Sequence, residues 1–167
     1  MSAGRAKRWG RRAAEVGVVL LVVAAARSWQ ARDAAAGEAP VLQGATLDGA
    51  PFALAEALAE GPVVVHFWAT WCGVCRAEEG SIAALAEDLP MITVASRSGT
   101  PEAVRAELEE RGRSFATLTD PDARLASAWG VAAYPTTFVV DRDGRVASVD
   151  VGFTPAPWLR LRHWLAR

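Results

Sequence analysis

Residues 63–75 read VVVHFWATWCGVC, and the architecture can be worked out from them in both directions. Val63–Trp68 is apolar and rich in β-branched and aromatic residues, broken only by His66, which is how a central strand buried on both faces reads. After Ala69-Thr70-Trp71 the chain changes period. From Gly73 to Asp88 the apolar positions have helical spacing, with Ile82, Leu85 and Leu89 on one side. Cys72 therefore sits where a buried strand ends and a helix begins. There its sulfur faces unpaired N–H groups and the positive end of the helix dipole, which stabilises a thiolate. Cys75, one turn further along the same helix face, would be the more buried sulfur and would resolve a mixed disulfide formed on Cys72.

Both cysteines of the chain lie in this Cys72-Gly73-Val74-Cys75 motif, so none is left for a structural bridge elsewhere. Cysteine spent only on CxxC suggests a working redox or metal site rather than a stapled scaffold. The bland alternative is a pair of inert buried cysteines. The metal alternative needs further ligands, because zinc takes four. Only His66 and His163 are available and neither has ligand spacing, so a copper-delivery or copper-sequestering thiol protein is the version worth weighing. The expectation is no metal, and no cofactor beyond the Cys72–Cys75 disulfide itself.

Downstream, Met91–Ala95 reads as a second buried strand. Pro101–Arg111 reads as an amphipathic helix opened by proline and closed by Gly112. Phe115–Leu118 is a short strand, and Asp122–Trp129 a helix opened by Asp120-Pro121. Thr136–Val140 is a strand, and a tight turn at Asp141-Arg142-Asp143-Gly144 returns the chain as Val146–Val151. Pro157–Ala166 is a last helix with Leu161, Trp164 and Leu165 facing inward. Upstream, Asp48-Gly49 between two apolar stretches predicts a hairpin, Leu54–Ala59 fits a short helix, and Gly61-Pro62 breaks the chain. Strands alternating with helices, then a closing hairpin and helix, give an α/β domain over residues 40–167, with a central mixed β-sheet flanked by helices and an N-terminal β-hairpin extension.

The charge is split. Residues 1–32 hold seven basic residues against Glu15 alone, whereas residues 33–167 hold eleven arginines and eighteen acids, near −7. So acidic a body argues against nucleic-acid binding, which needs a basic face. Five basic residues precede the apolar run Val16–Ala26, and Ala13–Trp29 spans seventeen residues, close to the lower limit of about 17 for a spanning helix. We read residues 1–12 as a basic cytoplasmic tail, 13–31 as a transmembrane signal anchor with Trp29 at the interface, and 32–39 as a linker. A signal peptide cut near Ala34-Ala35-Ala36 competes with the anchor. A buried core helix is disfavoured by the flanking charges, and Arg11-Arg12 lacks the rest of a twin-arginine signal. The anchor and the cleaved peptide both place the body outside the cytoplasm.

Phe67-Trp68-Ala69-Thr70-Trp71-Cys72-Gly73-Val74-Cys75 resembles the active-site stretch of the thioredoxin superfamily. Tyr134-Pro135-Thr136-Thr137-Phe138, followed by Asp141-Arg142-Asp143-Gly144, resembles its cis-proline strand and turn. The order and spacing are similar to the membrane-anchored TlpA-, ResA- and DsbE-like branch, and most similar to ScsD-like protein disulfide oxidoreductases. The resemblance covers about residues 40–167. It implies a thioredoxin fold and a protein disulfide oxidoreductase held single-pass in the bacterial inner membrane, with its catalytic domain in the periplasm or at the cell exterior. It also implies extracytoplasmic protein thiols as partners, in cytochrome c maturation or copper stress, and a membrane thiol-electron donor or acceptor. Pro135 would be cis and pack over the cysteines, and the exposed backbone of Tyr134 would pair with a substrate segment as an added strand. Trp71, Gly73, Val74, Tyr134 and Thr136 would contact substrate.

Two residues are candidates for moving the proton of Cys75. Glu78 matches the glutamate of the CxxCxxE pattern in ResA-like proteins, and its alternative is a solvated helix carboxylate, the reading given to Glu79. His66 stands where thioredoxins proper carry a buried aspartate. It is either a proton relay or a satisfied core histidine. Trp68, Trp129, Trp158 and Trp164 are read as packing residues. The Gly-Val dipeptide departs from both the Gly-Pro of thioredoxin-like reductants and the histidine of strong oxidants, and leaves the direction of exchange open. A peroxiredoxin reading lacks the proline of PxxxTxxC.

Overall fold

The computed structural model describes residues 34–167, together with Trp9, Arg12, Glu15–Val19, Leu21, Val22 and Ala25, which are helical. Most of the anchor read over 13–31, Trp29 included, lies outside the described residues. Among those described, no helix is long and apolar enough to cross a membrane.

Within residues 34–167, eight strands and five helices follow in the order β1 (Gly37–Glu38), β2 (Gln43–Ala45), β3 (Pro51–Ala53), α1 (Leu54–Ala57), β4 (Val63–Trp68), α2 (Gly73–Asp88), β5 (Met91–Ser96), α3 (Pro101–Glu110), β6 (Thr117–Asp120), α4 (Arg124–Ala128), β7 (Thr136–Val140), β8 (Arg145–Val151) and α5 (Ala156–Leu165). Six strands form one mixed sheet ordered β1-β8-β7-β4-β5-β6. β4 pairs in parallel with β5 and antiparallel with β7, in the register that sets His66 opposite both Thr93 and Thr137. This is an α/β thioredoxin fold. The hairpin expected around Asp48-Gly49 is β2–β3, with Gly49 at a φ of +85° that a side chain would strain. It leans on the sheet edge through a bridge between Thr46 and Leu118.

Alternation along β4 divides the core in two. Val63, Val65 and Phe67 join Leu42, Leu54, Trp129 and Phe138 in the larger cluster. Trp129 and Phe138 meet edge-to-face there, with ring centroids 4.9 Å apart. Trp68 points the other way and packs with both cysteines, Ala95, Val104 and Leu108. The active-site helix is thus seated on one face of the sheet, and the aromatic core on the other.

Four expectations need correction. Residues 34–39 are no linker: Ala34 is buried, the Ala35 N–H donates to the Trp129 carbonyl, and Gly37–Glu38 pairs with β8. The strand expected over Phe115–Leu118 lies two residues later. α4 begins at Arg124 rather than Asp122, because Ala123 adopts a left-handed φ of +55° and the buried Asp120 carboxylate accepts from the Leu125 and Ala126 N–H groups. On α5 the buried residues are Leu159, packed with Ile82 and Leu85, and His163, whose ring lies 2.9 Å from the Pro62 carbonyl. Trp164 and Leu165 are 62% and 64% exposed, and Leu161 and Trp158 are exposed too. At 100° per residue the helix carries apolar side chains on two opposite faces, so periodicity did not decide which one the core takes.

Candidate active site

The end of β4 delivers Cys72 to the N-cap of α2. Residues 69–71 bridge the gap: the Thr70 N–H donates to Ser98 Oγ, and the Trp71 indole donates to the Arg97 carbonyl at 3.0 Å. Cys72 and Cys75 are joined as a disulfide, with Cα atoms 5.2 Å apart. The sulfur of Cys72 accepts from the Cys75 N–H at 3.2 Å, one of the free donors of the helix's first turn, so charge on this sulfur is met by the helix N-terminus. Cys75 is the more deeply buried of the two.

Across the disulfide lies the start of β7. The Tyr134–Pro135 peptide bond is cis, and the Tyr134 carbonyl stands 3.5 Å from Cys72 Sγ. The Tyr134 and Trp71 rings meet edge-to-face at 5.7 Å. Trp71, at 59% exposure, and Val74 form an open apolar rim, and Gly73 has free space above it. Thr136 does not share this rim. Its side chain is buried, its hydroxyl donates to the Ala133 carbonyl, and its backbone is paired with Phe67 and Val151.

Beneath Cys75 the surroundings turn polar. His66, Trp68, Cys75, Glu79, Ile82 and Phe115 line a crevice with no room for water. His66 Nδ1 lies 2.9 Å from Thr137 Oγ1, and Nε2 lies 3.7 Å from Glu78 Oε1. Burial drives the His66 pKa down to about 3, so the ring is neutral. Glu78 accepts from the Thr154 N–H at 3.2 Å through Oε2, while Oε1 has no hydrogen-bond partner among the described residues. Burial pushes its pKa up to about 7, against the opposing pull of the Thr154 N–H. Glu79, read as solvated, is in fact buried and paired with Arg111 at 2.5 Å. Arg111 also pairs with Glu107 and reaches the Thr70 carbonyl at 3.4 Å, tying α2, α3 and the segment before Cys72 together. Glu79 follows Cys75 by four positions, a spacing that places both on one helix face and could have flagged it. Thr137 and Thr154 had no such signal; only tertiary pairing brings them to His66 and Glu78.

Among the described residues, no group of three or more His, Cys, Asp or Glu is placed to hold an ion. The site holds a reversible sulfur–sulfur bond, one end open to a partner and the other in a crevice lined by His66 and Glu79, an arrangement that a thioredoxin-superfamily disulfide oxidoreductase would use. Comparison with known proteins agrees. The Redoxin family model matches residues 14–159, and the chain belongs to that family, in its DsbE/ResA-like branch. A DsbE homolog from Paracoccus denitrificans, called a thiol:disulfide interchange protein, is 41% identical over 112 residues, 65% of this chain and 62% of that one. The corresponding DsbE of Escherichia coli K12 is 30% identical over 159 residues, 84% of this chain and 85% of its own length. The crystal structure of a thioredoxin-family thiol:disulfide interchange protein from Chlorobium tepidum superposes with a TM-score of 0.67 at 25% identity, covering 80% of this chain and 97% of that one.

Proposed function

We propose that this protein exchanges disulfides with polypeptide thiols outside the cytoplasm, using Cys72 as the sulfur that meets the partner and Cys75 as the one that resolves. The observation that carries the reading is the asymmetry of the pair: Cys72 lies under an open rim beside the Tyr134 carbonyl, while Cys75 is sealed above His66. In the oxidised protein a partner thiolate attacks Cys72 Sγ. The Cys72–Cys75 bond breaks, a mixed disulfide forms on Cys72, and Cys75 leaves as a thiolate that takes up a proton. A second partner thiolate then attacks the partner sulfur of that bond, completing the partner's disulfide and releasing the Cys72 thiolate to the helix N-terminus. Two electrons have passed to the protein. The same steps run backward to reduce a partner.

Glu78 supplies and receives the proton of Cys75. A group with a pKa of about 7 exists in both forms near neutral pH, which suits proton exchange. Neutral His66 lines the Cys75 crevice and, with Nδ1 held by Thr137, turns Nε2 toward Glu78 Oε1 at 3.7 Å, so it positions that carboxyl.

The partners we propose are apocytochrome c cysteines or proteins damaged under copper stress, with a membrane thiol-electron donor or acceptor to reset the pair. Segment 13–31 would hold the protein single-pass in the inner membrane with residues 40–167 in the periplasm. Reduction of insulin in a thiol-exchange assay tests the activity: the full chain should turn over and Cys72→Ser should fall to background. Stoichiometric copper retention without turnover would replace the reading by a copper-handling one.

A further inference from the structure

A groove of about 470 Å³ opens directly beside the redox pair, within the range of roughly 300–1,000 Å³ that ligand pockets occupy. Trp71 and Tyr134 form its wall next to Cys72, and Ala123, Val131 and Ala133 are among the small or apolar residues that line it. Arg97 is the one charged residue in this lining. It is exposed, and no carboxylate among the described residues pairs with it; the nearby Asp122 carboxylate faces Arg124 at 3.8 Å. Such a cation is conspicuous on a body with a net charge near −7.

The groove is also where the backbone is strained. Among the described residues, Arg97 (φ +49°) and Ala123 (φ +55°) are the non-glycine residues with positive φ, and both line it. That conformation is unfavourable at a non-glycine residue and persists only where the surroundings enforce it. Here the enforcing residue is Asp120: its carbonyl accepts from the N–H of Arg97 and of Ala123, and its buried carboxylate accepts from Ser96 Oγ and from the first N–H groups of α4. One buried aspartate thus sets both edges of the groove, and Arg97 in turn receives the Trp71 indole on its carbonyl.

We propose that this groove is a specificity subsite that takes the polypeptide flanking the partner's cysteine, and that Arg97 selects an acidic residue there. The assignment rests on the disulfide-exchange reading above. Its occupant is an extended segment continuous with the one that would lie along the Tyr134 backbone, with a carboxylate complementary to the unpaired guanidinium.

The test uses two peptides, each carrying one cysteine as a mixed disulfide with glutathione and differing only in Glu or Lys beside that cysteine, on either side in turn. The reduced full chain should favour a Glu peptide by about three- to fivefold in kcat/KM, carried by KM and fading with added salt, the size expected of an exposed charge pair. Arg97→Asn and Arg97→Asp both tolerate a left-handed φ. The first should erase the preference and the second reverse it, with the equilibrium potential of the Cys72/Cys75 pair unchanged. Equal rates for both peptides in the unaltered protein, or a preference that survives Arg97→Asn, overturns the subsite alone. Absence of exchange with every peptide overturns the subsite and the exchange reading together.

Discussion

Cys72 and Cys75 are three residues apart on one helix, yet their surroundings have little in common. Around Cys72 the protein offers apolar side chains to solvent: Trp71, Val74 and the edge of Tyr134. Below Cys75 it hides polar ones: His66, Glu78 and Glu79, all nearly inaccessible, with Thr137, Thr154 and Arg111 as their respective partners. Both arrangements are costly. Exposed tryptophan forgoes burial, and a buried carboxyl without a cation must hold its proton or bear the desolvation penalty. One sulfur is built to be approached and the other to be protonated, and each half of that contrast is open to measurement.

The largest effect should come from the cysteines themselves. Cys72→Ser should abolish adduct formation, whereas Cys75→Ser should still capture the partner and accumulate a mixed disulfide on Cys72 that does not resolve. Mass spectrometry of the intact adduct separates the two. An adduct on Cys75 in the Cys72→Ser protein would mean that the buried sulfur is reachable and the contrast is wrong.

The buried pair makes a second prediction, on stability. His66 has a folded pKa of about 3 against an ordinary 6.5, so the unfolded chain binds the extra proton and stability is lost as pH falls from 6.5 to 3. Glu78 has a folded pKa of about 7 against an ordinary 4.5, so the folded chain binds the extra proton and stability is lost as pH rises from 4.5 to 7. The two slopes oppose each other and leave a flat plateau between about 4.5 and 6.5. Denaturant unfolding across that window should show Glu78→Gln unmasking a rise of stability with pH, and His66→Asn unmasking a fall. If Glu78 carries the proton, Glu78→Gln should also slow resolution by about 10²-fold or more and remove the ionisation near pH 7 from its rate profile. An unchanged profile would leave the carboxyl a structural role only.

The smallest effect belongs to the rim. Trp71→Ala removes an exposed aromatic contact and should raise KM for a polypeptide substrate by about fivefold while leaving kcat little changed. An effect on kcat instead would make Trp71 a support for the disulfide through its bond to the Arg97 carbonyl rather than a docking surface.

Much of this was legible in residues 63–75. Six consecutive apolar or β-forming residues specify a central strand, and the switch to helical period at Gly73 places Cys72 at a helix start; β4 and α2 lie where that period change puts them. Glu79 was misread because its partner, Arg111, is thirty-two residues away and no local pattern links them. The α5 side chains were misassigned because both faces of that helix are apolar, and only packing against Ile82 and Leu85 selects Leu159.

From composition and spacing alone came the CxxC pair, the helix that would stabilise its outer sulfur, and the α/β class, because these depend on neighbours in the chain. Tertiary structure decided which carboxylate meets His66 and which meets Arg111, that Ala34–Glu38 joins the folded body, and that a strained groove opens beside Trp71. Those depend on contacts between residues dozens of positions apart, where burial and hydrogen bonding, rather than local preference, set the free energy of each group.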